Sequence, residues 1–291
     1  KPFEKLVEAL NAGVAKIGVQ GLEAAARALL AAVLFVQRDT SMLIVCADKD
    51  QAEAFMRDAA LFLGKENVFY YPPSEHRTFD LFSFADEEES AQLALLTRLR
   101  TQKKTLIVTC AEALAEKIMP VTVFVQNTRV VSVGDTLMTD EFADFLSVTG
   151  YARVSLVEKP GEFSIRGNIV DVFPPAERYP LRIELGADEI ESIRIFDCST
   201  QRSLQPCKSF TVSPASQIVT DAKHVAQALR MVRERSAELE LPADVRRRLV
   251  DMVKETSGDA IPPIFMPLFY NQDDTAGTEK LSGLWDYLSP E

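Results

Sequence analysis

Two short, largely apolar runs, LIVCA at residues 43–47 and TLIVTC at 105–110, most tightly limit what this chain can fold into. Each has the length of a strand and no polar side, so both of its faces must be covered. Stretches of helix formers surround them. GLEAAARALLAAVLFVQ (21–37) is rich in Ala and Leu and reads as a buried helix. DKDQAEAFMRDAALFLG (48–64) has Asp48 as its expected N-cap and Gly64 as its stop, and AQLALLTRLRTQ (91–102) leads into the second run. The acidic residues from Asp86 to Glu89 are expected at the start of that helix, where they complement its dipole. Short buried strands alternating with helices predict an α/β unit with a parallel sheet.

From about Pro120 to Val212 the texture changes. VTVFV, TRVVSV, ARVSLVE, NIVDVF, LRIEL and SIRIF are β-branched or alternating segments separated by Gly, Pro and Asp turns, which predicts a mainly antiparallel sheet. Only DEFADFLSVTG (140–150) reads as helix there, capped by Thr139 or Asp140 and stopped by Gly150. After Pro214 helical patterns return in DAKHVAQALRMVRERSAELE and ADVRRRLVDMVKETSG, followed by the Pro-broken IPPIFMPLFYNQ and by LWDYL. The expected organisation is therefore residues 1–119, an α+β insertion at 120–212, and a helical completion of the first unit at 213–291.

Composition narrows the function. Of the 291 residues 47% are apolar and 26% charged, as in an ordinary globular chain, and the longest apolar run, from Ala24 to Val36, is too short and too interrupted to span a bilayer. The start at Lys1 reads as an artificial or processed boundary, without the pattern of a signal peptide. A net charge of -11 opposes sequence-independent binding to nucleic acid, which depends on clustered Lys and Arg releasing counterions. Arg246, Arg247 and Arg248 form the one dense basic run, and with Asp244 and Asp251 beside them they read as a solvated helix face. Cys46, Cys110, Cys198 and Cys207 are scattered and make no CxxC pair, and the histidines are His76 and His224 alone, so no zinc site and no other metal is expected. Scattered thiols in apolar runs fit a reducing cytoplasm. Asp188, Glu189 and Glu191 read as a charged turn opening a strand, with a metal cluster as the alternative.

The α/β front invites a search for a phosphate-binding loop. Its place is GVQGLEAA, from Gly18 to Ala25. A working loop needs GxxxxGK[ST], with Lys for the phosphate oxygens and a hydroxyl for Mg²⁺. Counting from Gly18, those positions hold Glu23, Ala24 and Ala25, so charge and ligand are both missing. Gly18 and Gly21 are expected to serve turns before a helix, and no nucleotide or other cofactor is expected.

The most specific signal is an ordered series: Gly150-Tyr151, Arg153-Val154, Glu158, PGEFSIRGNIVDVFPP, YPLRIEL, DEIESIRIFD and TQRS. It resembles domain 2 of the excision-repair protein UvrB and its counterpart in the family of the bacterial transcription-repair coupling factor Mfd. The front, together with FMPLFY and LWDYL at the end, resembles the divided first domain of those proteins. The implied fold is a degenerate P-loop NTPase-like α/β domain with an inserted, mainly antiparallel α+β domain. UvrB keeps its phosphate loop and carries a long tyrosine-rich hairpin; here FYYPPSEHRTFDLFSFADEEES is short and acidic, so the Mfd family is the nearer resemblance. In that family the region is followed by an RNA-polymerase-binding domain, an active translocase and a C-terminal domain, so the resemblance implies that this chain is an N-terminal fragment.

The resemblance implies a non-catalytic module that docks onto UvrA, linking stalled RNA polymerase to excision repair, with the docking surface masked by the C-terminal domain of the intact protein. It places the contacts at Arg166, Arg182, Glu184, Leu185 and Gly186. Relatives often carry an aromatic where this chain has Leu185-Gly186. Strand alternation puts Arg182 and Glu184 on one face, Ile183 and Leu185 on the other. Phe163, Ile169, Val170, Val172 and Phe173 are expected in the core, Gly161 and Gly167 in turns. Read without the resemblance, the charges are solvated strand faces or internal salt bridges. An NTPase half-domain and a UvrB-like DNA-damage binder are the competing functions, the first weakened by the lost loop and the second by the acidic charge.

Overall fold

A computed structural model of the chain describes residues 2–74, 87–101, 104–255, 261–270 and 279–288. The expected stretch 75–86, with His76 and Asp86, lies outside the described residues.

The front begins with helices α1 (Pro2–Asn11) and α2 (Ala25–Gln37), then alternates β1 (Met42–Cys46), α3 (Lys49–Leu63), β2 (Val68–Tyr71), α4 (Glu87–Thr101) and β3 (Leu106–Cys110), and ends in α5 (Ala111–Ala115) and α6 (Val121–Gln126). The three strands form one parallel sheet in the order β1-β3-β2. Every residue of β3 is buried, and its polar side chain, Thr109, donates to the Tyr71 carbonyl at 2.8 Å; β1, expected to be covered on both faces, is only partly buried, with Val45 exposed. Asp48 caps α3 by accepting a hydrogen bond from the Gln51 amide at 2.9 Å, and Gly64 ends it with φ of 82°. Glu87, Glu88 and Glu89 occupy the first turn of α4. Helix α2 buries one face only, through Ala28, Ala31, Ala32 and Phe35; Val36 is 68% exposed.

VTVFV is not a strand. It forms α6, because Val123 and Phe124 turn together into the core and the ring of Phe124 meets Tyr287 edge-on at 5.6 Å. That burial is adjacent rather than alternating, and it outweighs the β preference of valine. Asn127 and Thr128 then cap the carbonyls of Val123 and Phe124 at 2.9 and 2.7 Å.

Next come β4 (Arg129–Ser132), α7 (Thr139–Val148), β5 (Ala152–Arg153), β6 (Glu162–Arg166), β7 (Ile169–Val172), β8 (Leu181–Gly186), β9 (Glu189–Phe196), β10 (Ser203–Cys207) and β11 (Ser209–Val212). The middle sheet has six strands in the order β10-β9-β8-β7-β6-β5, antiparallel except between β5 and β6. β4 and β11 pair with each other, so the chain enters and leaves this sheet region side by side. Two expectations are corrected. ARVSLVE pairs only through β5 and then leaves the sheet. Neither Thr139 nor Asp140 caps α7, because both already lie in its first turn and Met138 precedes it.

The last helices are α8 (Ala222–Glu238), α9 (Ala243–Glu255), α10 (Met266–Phe269) and α11 (Leu284–Leu288). They return to the parallel sheet. One buried apolar cluster joins Ala28 through Phe124 to Ile218 through Tyr287, and a second lies within Val131 to Ala215. A polar seam joins the two: Glu89 accepts the Gln217 amide at 2.6 Å, Tyr151 donates to the Ser213 carbonyl at 2.8 Å, and Tyr270 donates to the Gln217 carbonyl at 2.8 Å. Among the described residues no helix is long and apolar enough to cross a membrane.

Candidate docking surface

Alternation along the six-stranded sheet divides its residues into two faces. Phe163, Val170, Val172, Leu181, Ile183, Leu185, Ile190 and Ile193 point inward to the second apolar cluster. The outer face carries Ser164, Arg166, Ile169, Asp171, Arg182, Glu184, Ser192 and Arg194, neighbours through the registers Ser164↔Asp171, Arg166↔Ile169, Asp171↔Arg182, Ile169↔Glu184, Arg182↔Arg194 and Glu184↔Ser192. One end of this face is roofed by Val157, Phe173 and Phe196, which form a small third cluster; the end holding Arg166, Glu184 and Arg194 is open.

Two core assignments therefore change. Ile169 is partly exposed on the outer face, and Phe173 is part of the roof instead of the main cluster. Leu185 changes too: it is 5% exposed and belongs to the core, so its side chain contributes nothing to the surface. Gly186 ends β8 partly exposed, with the carboxylate of Glu191 lying over it.

At the centre of the face sits Asp171, 1% exposed, between two guanidinium groups. Arg182 grips it in a fork, Nε to Oδ1 at 2.7 Å and Nη2 to Oδ2 at 2.8 Å, and Arg166 adds Nη2 to Oδ2 at 2.6 Å. A carboxylate this deep is tolerated because both oxygens are matched by charge-assisted hydrogen bonds. Bonding to Asp171 also pushes the Arg182 guanidinium above its ordinary pKa, against the opposing effect of burial. The two arginines differ in what they have left. Arg182 has only 16% of its side chain exposed, stacks on Phe196 at 4.6 Å and gives one hydrogen from each Nη to Gln201. Arg166 is 48% exposed and makes no further hydrogen bond among the described residues.

Arg166 is held at the end of β6 by the hairpin turn at Gly167-Asn168, where Gly167 takes φ of 59°, a left-handed value that residues with a Cβ adopt rarely. Glu184 accepts from Ser192 at 2.7 Å and lies 4.0 Å from Arg194, which is 49% exposed. The open end is thus a patch of mixed charge, with Arg166, Glu184 and Arg194 and the carboxylate of Glu191 beside Gly186. Sequence reading passed over Arg194, Ser192 and Asp171. The signal for Asp171 is in NIVDVF, where a carboxylate stands inside an otherwise apolar run.

The phosphate-loop positions lie elsewhere. Gly21 has φ of 80° and Ala24 φ of 35°, and Gly18 through Ala24 form the turn into α2, with Ala25 its first residue and Glu23 exposed. Arg246, Arg247 and Arg248 are all exposed on α9. Asp188 lies in the turn between β8 and β9, and Glu189 and Glu191 belong to the first residues of β9.

Residues 130–218 match the family model described as the UvrB interaction domain. That interval contains the whole six-stranded sheet. The chain is 27% identical over 253 residues to the transcription-repair-coupling factor of Bacillus subtilis, covering 87% of this chain and 21% of that protein. Its identity to the same factor is 31% over 225 residues in Staphylococcus aureus strain Mu50 (76% of this chain, 19% of that protein) and 30% over 262 residues in Myxococcus xanthus (88% and 22%). The chain is homologous to the N-terminal, UvrB-like region of transcription-repair-coupling factors. It spans about a fifth of the length of these relatives.

Proposed function

We propose that this chain is a non-catalytic docking module of a transcription-repair-coupling factor, which recruits the excision-repair protein UvrA through the open end of the outer sheet face. One observation carries the reading: the segment matched as a UvrB interaction domain is the one that displays a half-exposed, partly unsatisfied arginine on an otherwise ordered polar face. A planar guanidinium with donors to spare suits a bidentate contact with a partner carboxylate, and long-range charge steers the encounter. Arg166, Glu184 and Arg194 are the direct contacts in this proposal, with Gly186 at the edge. Arg182 acts from beneath.

The front unit and the helices after residue 213 form one divided, degenerate NTPase-like domain around the inserted docking domain, in this reading. Glu23, Ala24 and Ala25 deprive it of the groups that hold phosphate and magnesium, so translocation is the work of another part of the full-length protein. In that protein the C-terminal domain covers the docking face until a conformational change releases it.

The test is calorimetry of the 291-residue chain with purified UvrA. Saturable binding that Arg166→Ala weakens by about ten-fold, the loss expected for one charge-assisted contact, supports the reading. A wild-type chain that does not bind, or an Arg166→Ala chain that binds equally well, overturns it.

A further inference from the structure

We infer that Asp171, braced through Arg182 by the turn between β9 and β10, is a positioning residue that fixes the guanidinium of Arg166 before a partner arrives; the inference rests on the docking reading above.

The brace can be followed atom by atom. Asp197 opens the turn: its Oδ1 accepts the Thr200 amide at 2.8 Å and the hydroxyls of Ser199 and Thr200 at 2.6 and 3.0 Å. Its carbonyl accepts the amide of Gln201 at 2.7 Å. Gln201 is thereby held at φ of 57°, in the left-handed region that residues other than glycine seldom occupy. In that pose Gln201 turns its carbonyl and Oε1 toward Nη1 and Nη2 of Arg182 at 3.3 and 3.4 Å, while its Nε2 donates to the Cys198 carbonyl at 2.8 Å. Arg182 lies over Phe196 and holds both oxygens of Asp171. Asp171 in turn holds Nη2 of Arg166.

This order of dependence gives the two arginines different jobs. Arg182 has its fork closed on Asp171, one hydrogen from each Nη on Gln201 and little exposed surface, so it offers a partner little. Arg166 is tied at one nitrogen, and the rest of its guanidinium stands at the open end of the face. A long, free arginine loses rotamer freedom when it is captured; one already tied by a buried carboxylate loses less. A tied arginine also presents its planar fork in one orientation, which a partner carboxylate can match.

Two measurements test this on the 291-residue chain. The first is side-chain Nε–Hε relaxation by NMR on the free chain. Arg166 is expected to be ordered in the wild type and mobile in Asp171→Asn; an Arg166 already as mobile in the wild type overturns the inference, whatever the binding data say. The second is a double-mutant cycle on UvrA binding. Asp171→Asn and Arg166→Ala are each expected to weaken binding by about ten-fold, and the double variant by no more than Arg166→Ala alone. A general structural effect of Asp171 instead adds fully to the loss of Arg166, and that result overturns the inference. Should Asp171→Asn fail to fold, Gln201→Gly removes the side-chain half of the brace, the Oε1 and Nε2 contacts, while keeping the carbonyl on Nη1 of Arg182 and suiting the left-handed backbone. Its expected result is a folded chain with a looser Arg166 and weaker binding, and unchanged order and affinity overturn the bracing. If the wild-type chain has a rigid Arg166 and does not bind UvrA, the docking reading falls and takes the purpose of the brace with it.

Discussion

The hydroxyls of Thr97 and Ser213, 116 residues apart in sequence, are hydrogen-bonded at 2.7 Å with both side chains buried. Thr97 belongs to helix α4 beside the parallel sheet, and the carbonyl of Ser213 accepts the hydroxyl of Tyr151 from the other apolar cluster. Thr97→Val keeps the shape and leaves a buried hydroxyl without its partner. The expected cost is about 1–3 kcal/mol, read by urea denaturation. Adding Ser213→Ala should recover part of it, because the orphaned group is then gone; a double variant less stable than Thr97→Val would count against this account.

Gly150 ends α7 with φ of 92°, and a Cβ there would lie 2.8 Å from the backbone nitrogen of Ser216. Gly150→Ala is expected to cost at least about 2 kcal/mol, combining left-handed strain with overpacking against backbone. Gly186→Ala is the control. Its Cβ meets only the flexible end of Glu191, so a thermal melt should place its cost below about 1 kcal/mol.

Leu185 lies in the core cluster of the sheet. Leu185→Ala should destabilise the chain by about 2–5 kcal/mol through the cavity it leaves. In conditions where the variant stays folded, its affinity for UvrA should match the wild type. A specific loss of affinity without loss of stability would restore Leu185 to the contact surface.

Asp221 caps α8, its carboxylate accepting the His224 amide at 2.9 Å with Nδ1 of the His224 ring at 2.8 Å. Burial alone would raise its pKa, but the hydrogen bonds from His224 outweigh that and hold it below the ordinary value. A depressed folded-state pKa means that the stabilisation is present above the unfolded value of about 3.9 and fades as pH falls through the lower folded value. Asp221→Ala should therefore lose about 1 kcal/mol at neutral pH. The gap to wild type should narrow below about pH 4, in melts followed by circular dichroism. A gap independent of pH would rule out the charged cap.

Much of the fold is legible in the sequence where local pattern and burial agree. The apolar runs around Ile44 and Val108 are strands, Asp48 and Gly64 bound their helix, and LRIEL alternates as β8 does. Legibility fails where distant residues decide. Val121 to Gln126 is helical because Phe124 packs on Tyr287, a partner far along the chain. The candidate site is similar. Arg166, Arg182 and Glu184 do share one face, yet nothing local says that Arg182 is spent on a buried aspartate while Arg166 is not. That distinction depends on strand register and on Gln201, and neither is written in the spacing of charges.

The division of the two cores along the chain also sets an expected order of folding. Every buried residue of the second apolar cluster lies between Val131 and Ala215, whereas the first waits for Tyr287, whose hydroxyl reaches back to the carbonyl of Met119 at 2.9 Å. As the chain leaves the ribosome, the six-stranded sheet has all its pieces while the parallel sheet still lacks α8 through α11. Domains form as units during synthesis, and contacts distant in sequence form slowly. The inner unit is therefore expected to mature first, while the apolar helix faces of the front half await the last helices.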